Sequence, residues 1–268
     1  MSNGMSVGKK ITYVLFCGVF FFALASKGPS IAWAEEGGPV AKGEELLRQE
    51  KFKEAYDILI GEAKKDDARA QFLVAIMYQY GYSVDKDTSI AEEWFKKAID
   101  SGSPNAKHYL ADLYMDNEEY TDALKLYTSA AEDGYVKSLY MVGKMYFYGI
   151  GVERDICKSH EYFQRSIDNY DWRAAYFLGR MLLARECGVS DQKTVIINLL
   201  RAVDNEDAES QFLLAYFLEY GLFVTQNYQE AVDLYKRSAR NGYDEAEKRL
   251  KALQDKGYTG TPLRTSPR

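Results

Sequence analysis

Residues 71–81 read QFLVAIMYQYG and residues 211–221 read QFLLAYFLEYG, identical at six of eleven positions across a separation of 140 residues. Aligning on the small residue just before each phrase brings out three further copies, opening at Ala106, Ser138 and Ala174 between Ala70 and Ser210. The steps are 36, 32, 36 and 36 residues. Four residues on stands an apolar residue followed by a small one: Val74-Ala75, Leu110-Ala111, Val142-Gly143, Leu178-Gly179 and Leu214-Ala215. After another four come Tyr78, Tyr114, Tyr146, Leu182 and Leu218. Apolar residues returning at i and i+4 make one buried helical stripe. The small member of each pair lets a second helix approach closely.

A second phrase follows each first one: AEEWFKKAIDSG (91–102), ALKLYTSAAEDG (123–134), SHEYFQRSIDNY (159–170), VIINLLRAVDNE (195–206) and AVDLYKRSARNG (231–242). Gly102, Gly134 and Gly242 stop their helices where positive φ is needed. The spacing therefore predicts five helix pairs, at 67–102, 103–134, 135–170, 171–206 and 207–242. A half-unit at 41–66 precedes them, and a polar cap helix at 243–257 follows. The last residues, 258–268, carry two Pro and no periodicity and read as a disordered tail.

The inner loops sharpen this. YGYSVDKD (80–87), YGIGVERD (148–155) and YGLFVTQN (220–227) join the helices of three units. The Y-G-x-G-V-x-x-D pattern of YGIGVERD, the apolar-Gly pair before it and A-x-x-W-F-x-x-A in the second helix resemble Sel1-like repeats, which are relatives of tetratricopeptide repeats. The 32-residue unit and EKFKEAY (50–56) resemble ordinary tetratricopeptide units. The resemblance covers residues 40–257 and implies an all-α, right-handed α/α solenoid that mediates protein–protein contacts. The fourth unit departs most, since RECGVSDQ (185–192) lacks the Tyr-Gly start.

Outside the repeats, Lys9 and Lys10 precede an apolar run, Ile11–Ala25, and a small-x-small end at Ala32-Trp33-Ala34. That is the order of a secretory signal, 1–34, with cleavage expected after Ala34 and Ala25 as the alternative. An uncleaved anchor is the competing reading, but the run falls short of the ~20 residues that span a bilayer. The expected location is thus outside the cytoplasm, in the periplasm or secreted, with no membrane span in the mature chain. Its solenoid would occupy 35–257. Removing Lys9, Lys10 and Lys27 leaves 31 basic against 40 acidic residues, a net charge of about −9. So acidic a chain lacks the clustered cations that nucleic acid demands.

His108 and His160 fall in different units, and no GxSxG, Walker loop, GxGxxG or HExxH occurs. The Gly-x-Gly of YGIGVERD follows a helix, so it serves a turn. No catalytic residue, metal or cofactor is expected. Cys157 and Cys187 fit neither CxxC nor a metal pattern. Adjacent repeat loops could bring them within bridging distance; the reading leans slightly to two separate thiols.

In tetratricopeptide-type solenoids the first helix of each unit lines the concave face. The equivalents of position 72 are Phe72, His108, Tyr140, Tyr176 and Phe212, one ring per unit. Packing between units and a peptide-binding ladder are equally good accounts of it. Beside them the equivalents of 69 and 76 include Lys137, Arg173, Lys144 and Arg180, a basic patch confined to the third and fourth units. These nine residues are the candidate partner-binding set, and an acidic segment is the partner they fit. The resemblance implies an exported scaffold or regulator, restraining a membrane signalling kinase or organising an envelope or polysaccharide-export complex. A secreted effector contacting host proteins is the alternative, and a cell-wall-acting or β-lactamase-like enzyme the third. A monomer or weak oligomer is expected.

Overall fold

The computed structural model describes residues 38–260. The expected signal segment 1–34 lies outside them, as do residues 261–268 of the tail. Among the described residues there are thirteen α-helices, no strand and one turn of 3-10 helix. The helices are α1 (Pro39–Arg48), α2 (Phe52–Ala63), α3 (Ala68–Tyr80), α4 (Thr88–Asp100), α5 (Ala106–Asp116), α6 (Tyr120–Glu132) and α7 (Val136–Tyr148). They continue with α8 (Ile156–Asp168), α9 (Ala175–Ala184), α10 (Gln192–Asp204), α11 (Ala208–Tyr220), α12 (Tyr228–Arg240) and α13 (Asp244–Asp255). The 3-10 turn, Trp172–Ala174, leads into α9. The class is the expected one, an α/α solenoid of helix pairs. The chain divides between Tyr135 and Val136 into two compact units. The described helices of the first unit are α1–α6 and those of the second α7–α13.

Helix boundaries follow from local chemistry. The Asp67 carboxylate accepts from the N–H groups of Arg69 and Ala70 at the start of α3. Asp207 does the same for Ser210 in α11. Each second helix after a long inner loop is capped by the loop's last residue: Asp87 on Ile90, Asp155 on Lys158, Asp191 on Thr194 and Asn227 on Glu230. A side-chain cap of this kind contributes about 1 kcal/mol. Three first helices stop at a left-handed glycine, Gly81, Gly149 or Gly221. The loop then closes with a backbone clasp: the N–H of Asp87, Asp155 or Asn227 donates to the carbonyl of Tyr78, Tyr146 or Leu218.

The repeated apolar-small pair sits where the two helices of a repeat meet. Val74, Ala75, Val142, Ala111 and Ala215 are fully buried. Gly143 on α7 lies so close to Phe163 on α8 that a Cβ there would stand 2.6 Å from the ring. Ser159 on α8 donates to the Gly143 carbonyl at 2.8 Å.

Three details differ from the sequence expectation. The stretch 41–66, expected as a half-unit, holds most of two helices, α1 and α2, which pack on one another through Leu47 and Leu59. The tail, expected to be free from residue 258, begins folded: Tyr258 stacks on Tyr228 with centroids 4.4 Å apart, and Lys236 donates to the Thr259 carbonyl. Cys157 and Cys187 form a disulfide rather than two thiols, with Cα atoms 5.1 Å apart. The fourth repeat has Arg185 in the glycine's left-handed position, at φ 56°, and Cys187 is left-handed too, at φ 50°. Its loop has no Asp191-to-Leu182 backbone clasp among the described residues. The bridge to α8 of the preceding repeat holds the loop instead.

Candidate functional site

In the first unit the two predicted aromatic positions are interior. The Phe72 ring on α3 packs at 5.0 Å on Tyr109 of α5 and at 6.0 Å on Phe95 of α4. His108 on α5 is enclosed by Tyr109, Tyr127 and Tyr135, whose ring centroids lie 5.4, 5.2 and 4.8 Å away. Its Nε2 is 3.8 Å from the carboxylate of Asp112, one turn on, which also accepts from the Tyr127 hydroxyl. Burial first, and then the Asp112 charge, hold that hydroxyl far above the usual tyrosine range.

The second unit repeats the pattern with Tyr140 on α7 and Tyr176 on α9, both buried. Tyr140 stands against Phe163 and Phe177, and Tyr176 against Phe177 with Tyr243 near its hydroxyl. Phe212 on α11 is half-buried between Tyr235 and Tyr243. Four of the five predicted positions thus serve packing in their own units, and the fifth does so in part.

The predicted cations of the second unit converge above these rings. Arg173 lies 4.5 Å over the Tyr140 ring, and its Nε and Nη2 donate to both carboxylate oxygens of Asp171. Lys144 is 5.5 Å from the same ring. Arg180 is 5.1 Å from Phe147 and 5.6 Å from Tyr176, and its charge is felt by the Tyr148 hydroxyl. Lys137 sits half-buried in the first turn of α7. Across from them stands Glu209 of α11. Its carboxyl is raised above its ordinary value by burial and then by Asp207, while Lys144 and Arg180 pull it down. Three successive first helices, α7, α9 and α11, therefore share one charged surface. Arg173 is paired with Asp171, whereas Lys144 and Arg180 both act on Glu209.

Sequence reasoning missed two members of this surface. Tyr148 is 50% exposed and Tyr220 is 47% exposed. Each precedes the glycine that ends its helix; the Tyr220 hydroxyl accepts from the Arg249 guanidinium of α13 at 2.7 Å, and Tyr148 lies within electrostatic reach of Arg180. The Arg249 guanidinium also covers Tyr216 at 5.4 Å. The signal was present as the Tyr-Gly step repeated at 148 and 220. Cation–ring contacts of this exposure contribute about 0.5–1 kcal/mol each, and they hold the guanidinium planes flat on the surface. Among the described residues no group of three His, Cys, Asp or Glu is placed to hold a metal ion, and no helix is long and apolar enough to cross a membrane.

Helix pairs recurring every 32 to 36 residues, each packed through an apolar-small pair, define an α/α repeat protein. The Sel1 repeat model matches residues 68–103, 105–135, 136–171 and 208–243, more than half of the chain. The protein belongs to the Sel1 repeat family. Within the run of repeats from Ala68 to Arg240 the pair left unmatched is α9–α10, whose long inner loop lacks Tyr-Gly. The chain is 26% identical over 186 residues to a chitin synthase regulator of Malassezia restricta, covering 64% of this chain and 13% of that protein. Over 101 residues it is 30% identical to an ERAD-associated E3 ubiquitin-protein ligase component of Candida glabrata, covering 35% of this chain and 12% of that one. It thus spans about an eighth of the length of these curated relatives. A Sel1 repeat protein of known structure from Oxalobacter formigenes superposes with a TM-score of 0.74 at 24% identity, over 85% of this chain and 92% of that one. That likeness shows the fold.

Proposed function

We propose that this protein is a non-enzymatic binding scaffold or regulator that works in the cell envelope after export, by holding an acidic segment of a partner protein. The curated relatives, by their names, are a regulator of one enzyme and a component of another, which supports a role in organising other proteins. The observation that carries the reading is the Lys144–Arg180 pair. Both cations lie on first helices of the second unit, Arg180 near the exposed Tyr148 ring, and both act on the Glu209 carboxyl. A partner carboxylate arriving there meets two cations at partly desolvated positions, where ion pairs are stronger than on an open surface. The buried rungs Tyr140 and Tyr176 lie under the cations and fix their height; Phe72 and His108 contribute by keeping the first unit's helices in register.

The test is fluorescence anisotropy with a labelled Glu- and Asp-rich peptide. The Lys144→Glu/Arg180→Glu variant should bind at least about tenfold more weakly, with unchanged helical circular dichroism. Equal affinity would sink the reading. Export is tested separately by sequencing the N-terminus of the protein recovered from an extracytoplasmic fraction, which should begin at Glu35.

A further inference from the structure

The second helix of the fourth repeat differs from its counterparts on its outer surface. On α10, Ile197 is 38% exposed and Leu200 is 44% exposed. In the other four repeats the position of Ile197 holds Glu93, Lys125, Glu161 and Asp233, and that of Leu200 holds Lys96, Thr128, Gln164 and Lys236. Only here do apolar side chains replace them. A turn further on, Arg201 places its guanidinium 4.8 Å over the ring of Trp172, and Trp172 packs edge-on against Tyr170 at 5.9 Å. Tyr170 is 68% exposed and left-handed, at φ 65°, where three other repeats end their second helix with Gly102, Gly134 and Gly242. Glu206 takes the same left-handed conformation at the end of the fourth repeat's second helix, at φ 59°, so what distinguishes Tyr170 is its exposed ring. Ile197, Leu200, Arg201, Trp172 and Tyr170 thus form one strip, on the second-helix side of the unit and separate from the Lys144–Arg180 surface.

We infer that this strip docks a second copy of the same chain, with α10 lying antiparallel to α10 of the other copy across a two-fold axis. The order of charges and apolar groups on the helix carries this. The outer face of α10 reads Lys193, Ile197, Leu200, Asp204, all four exposed. Turning the helix about its midpoint exchanges 197 with 200 and 193 with 204. An isologous contact therefore sets each Ile197 on the other copy's Leu200, and each Lys193 beside the other copy's Asp204. The face complements itself in both apolarity and charge. A membrane surface fits less well, because the lysine is offset by the aspartate rather than joined by further cations. The strip is narrow beside the roughly 1,200 Å² of stable complexes, so the dimer is weak and forms with rising concentration. Dimerisation would present two Lys144–Arg180 surfaces at once and strengthen binding to any partner carrying two acidic segments.

Sedimentation velocity of the purified protein from micromolar to submillimolar concentration tests this. Wild type should shift reversibly from monomer to dimer. Lys193→Asp alone and Asp204→Lys alone should each weaken the dimer by about five- to tenfold, since each change places two like-charge pairs across the axis. The double variant K193D/D204K should regain most of the affinity, because the same contacts re-form with signs exchanged. Ile197→Glu/Leu200→Glu should leave only monomer with an unchanged melting temperature. A monomer at every concentration, or a dimer indifferent to I197E/L200E, overturns the inference. So does a charge swap no better than its single variants. Lipid-vesicle binding lost in I197E/L200E, with no dimer in wild type, would assign the strip to a membrane and likewise overturn it.

Discussion

Cys187, in the inner loop of the fourth repeat, is joined to Cys157 in the first turn of α8, the second helix of the third repeat, with Cα atoms 5.1 Å apart. Beside the bridge Arg154 reaches Glu186 at 3.5 Å, so two adjacent inner loops are tied twice. The fourth loop has Arg185 in place of the helix-ending glycine and lacks the backbone clasp of its neighbours, and the bridge ties it instead. For a separation of 30 residues, restricting the unfolded chain contributes about 3 kcal/mol. Cys157→Ser/Cys187→Ser should lower the urea midpoint by a corresponding amount. Hydrogen exchange should show the loss concentrated at residues 185–191, and a uniform loss of protection would count against the loop role.

Gly143 is the second position where one atom decides the packing. Its missing Cβ leaves room for the Phe163 ring, which would otherwise lie 2.6 Å away. Gly143→Ala should destabilise the protein by about 1–3 kcal/mol through overpacking, read by thermal or urea unfolding. Phe163→Leu in the same chain should recover part of the loss, because the shorter side chain makes room for the methyl.

The repeat period, the helix pairs and the Val74-Ala75 and Val142-Gly143 contacts were legible in the sequence, because a buried helical stripe is set by 3.6-residue geometry alone. The caps at Asp87, Asp155 and Asn227 were equally local and could have been read from their place ahead of each second helix. Which side of a first helix meets solvent was not legible. Phe72 and Ile76 are buried because α2, α4 and α5 surround α3, and those neighbours are fixed by stacking rather than by the α3 pattern. Lys144 and Arg180 could be singled out by their register, but Glu209 facing them emerges only when α11 is laid beside α7 and α9. The disulfide lay between these cases. The sequence put the two cysteines at adjacent repeat loops, yet only the folded loops bring their Cα atoms to 5.1 Å.

In the first unit, Glu44 of α1 is almost fully buried and is held by Arg69 of α3 through both carboxylate oxygens. Burial raises its carboxyl above the ordinary value, and Arg69 is the main group opposing that rise. Arg69→Met leaves a carboxylate without its partner in the interior, which should cost about 3 kcal/mol at pH 7. The deficit should shrink as the pH falls toward 4.5, because a protonated Glu44 has no charge to compensate. Glu44→Gln combined with Arg69→Met should restore most of the stability at pH 7. Urea titrations at two pH values decide it, and an equal deficit at both would show that lost packing of the arginine stem, rather than the stranded charge, is responsible.

Glu209 offers a test that joins stability to binding. Its carboxyl is raised above the ordinary 4.5, first by burial and then by Asp207, with Lys144 and Arg180 opposing. A carboxyl whose pKa is higher in the fold than in the unfolded chain binds its proton more tightly when folded. That stabilisation is complete below about pH 4.5 and is lost as the pH rises through the folded value. At pH 7 the ionised group therefore weakens the fold, and Glu209→Gln should raise the melting temperature there, with the gain vanishing below pH 4.5. The same change removes a carboxylate on which both Lys144 and Arg180 act, so the acidic peptide should bind several-fold more tightly. If E209Q melts lower at pH 7 and binds no better, Glu209 instead holds the two cations in place, and the surface would depend on that carboxylate rather than compete with it.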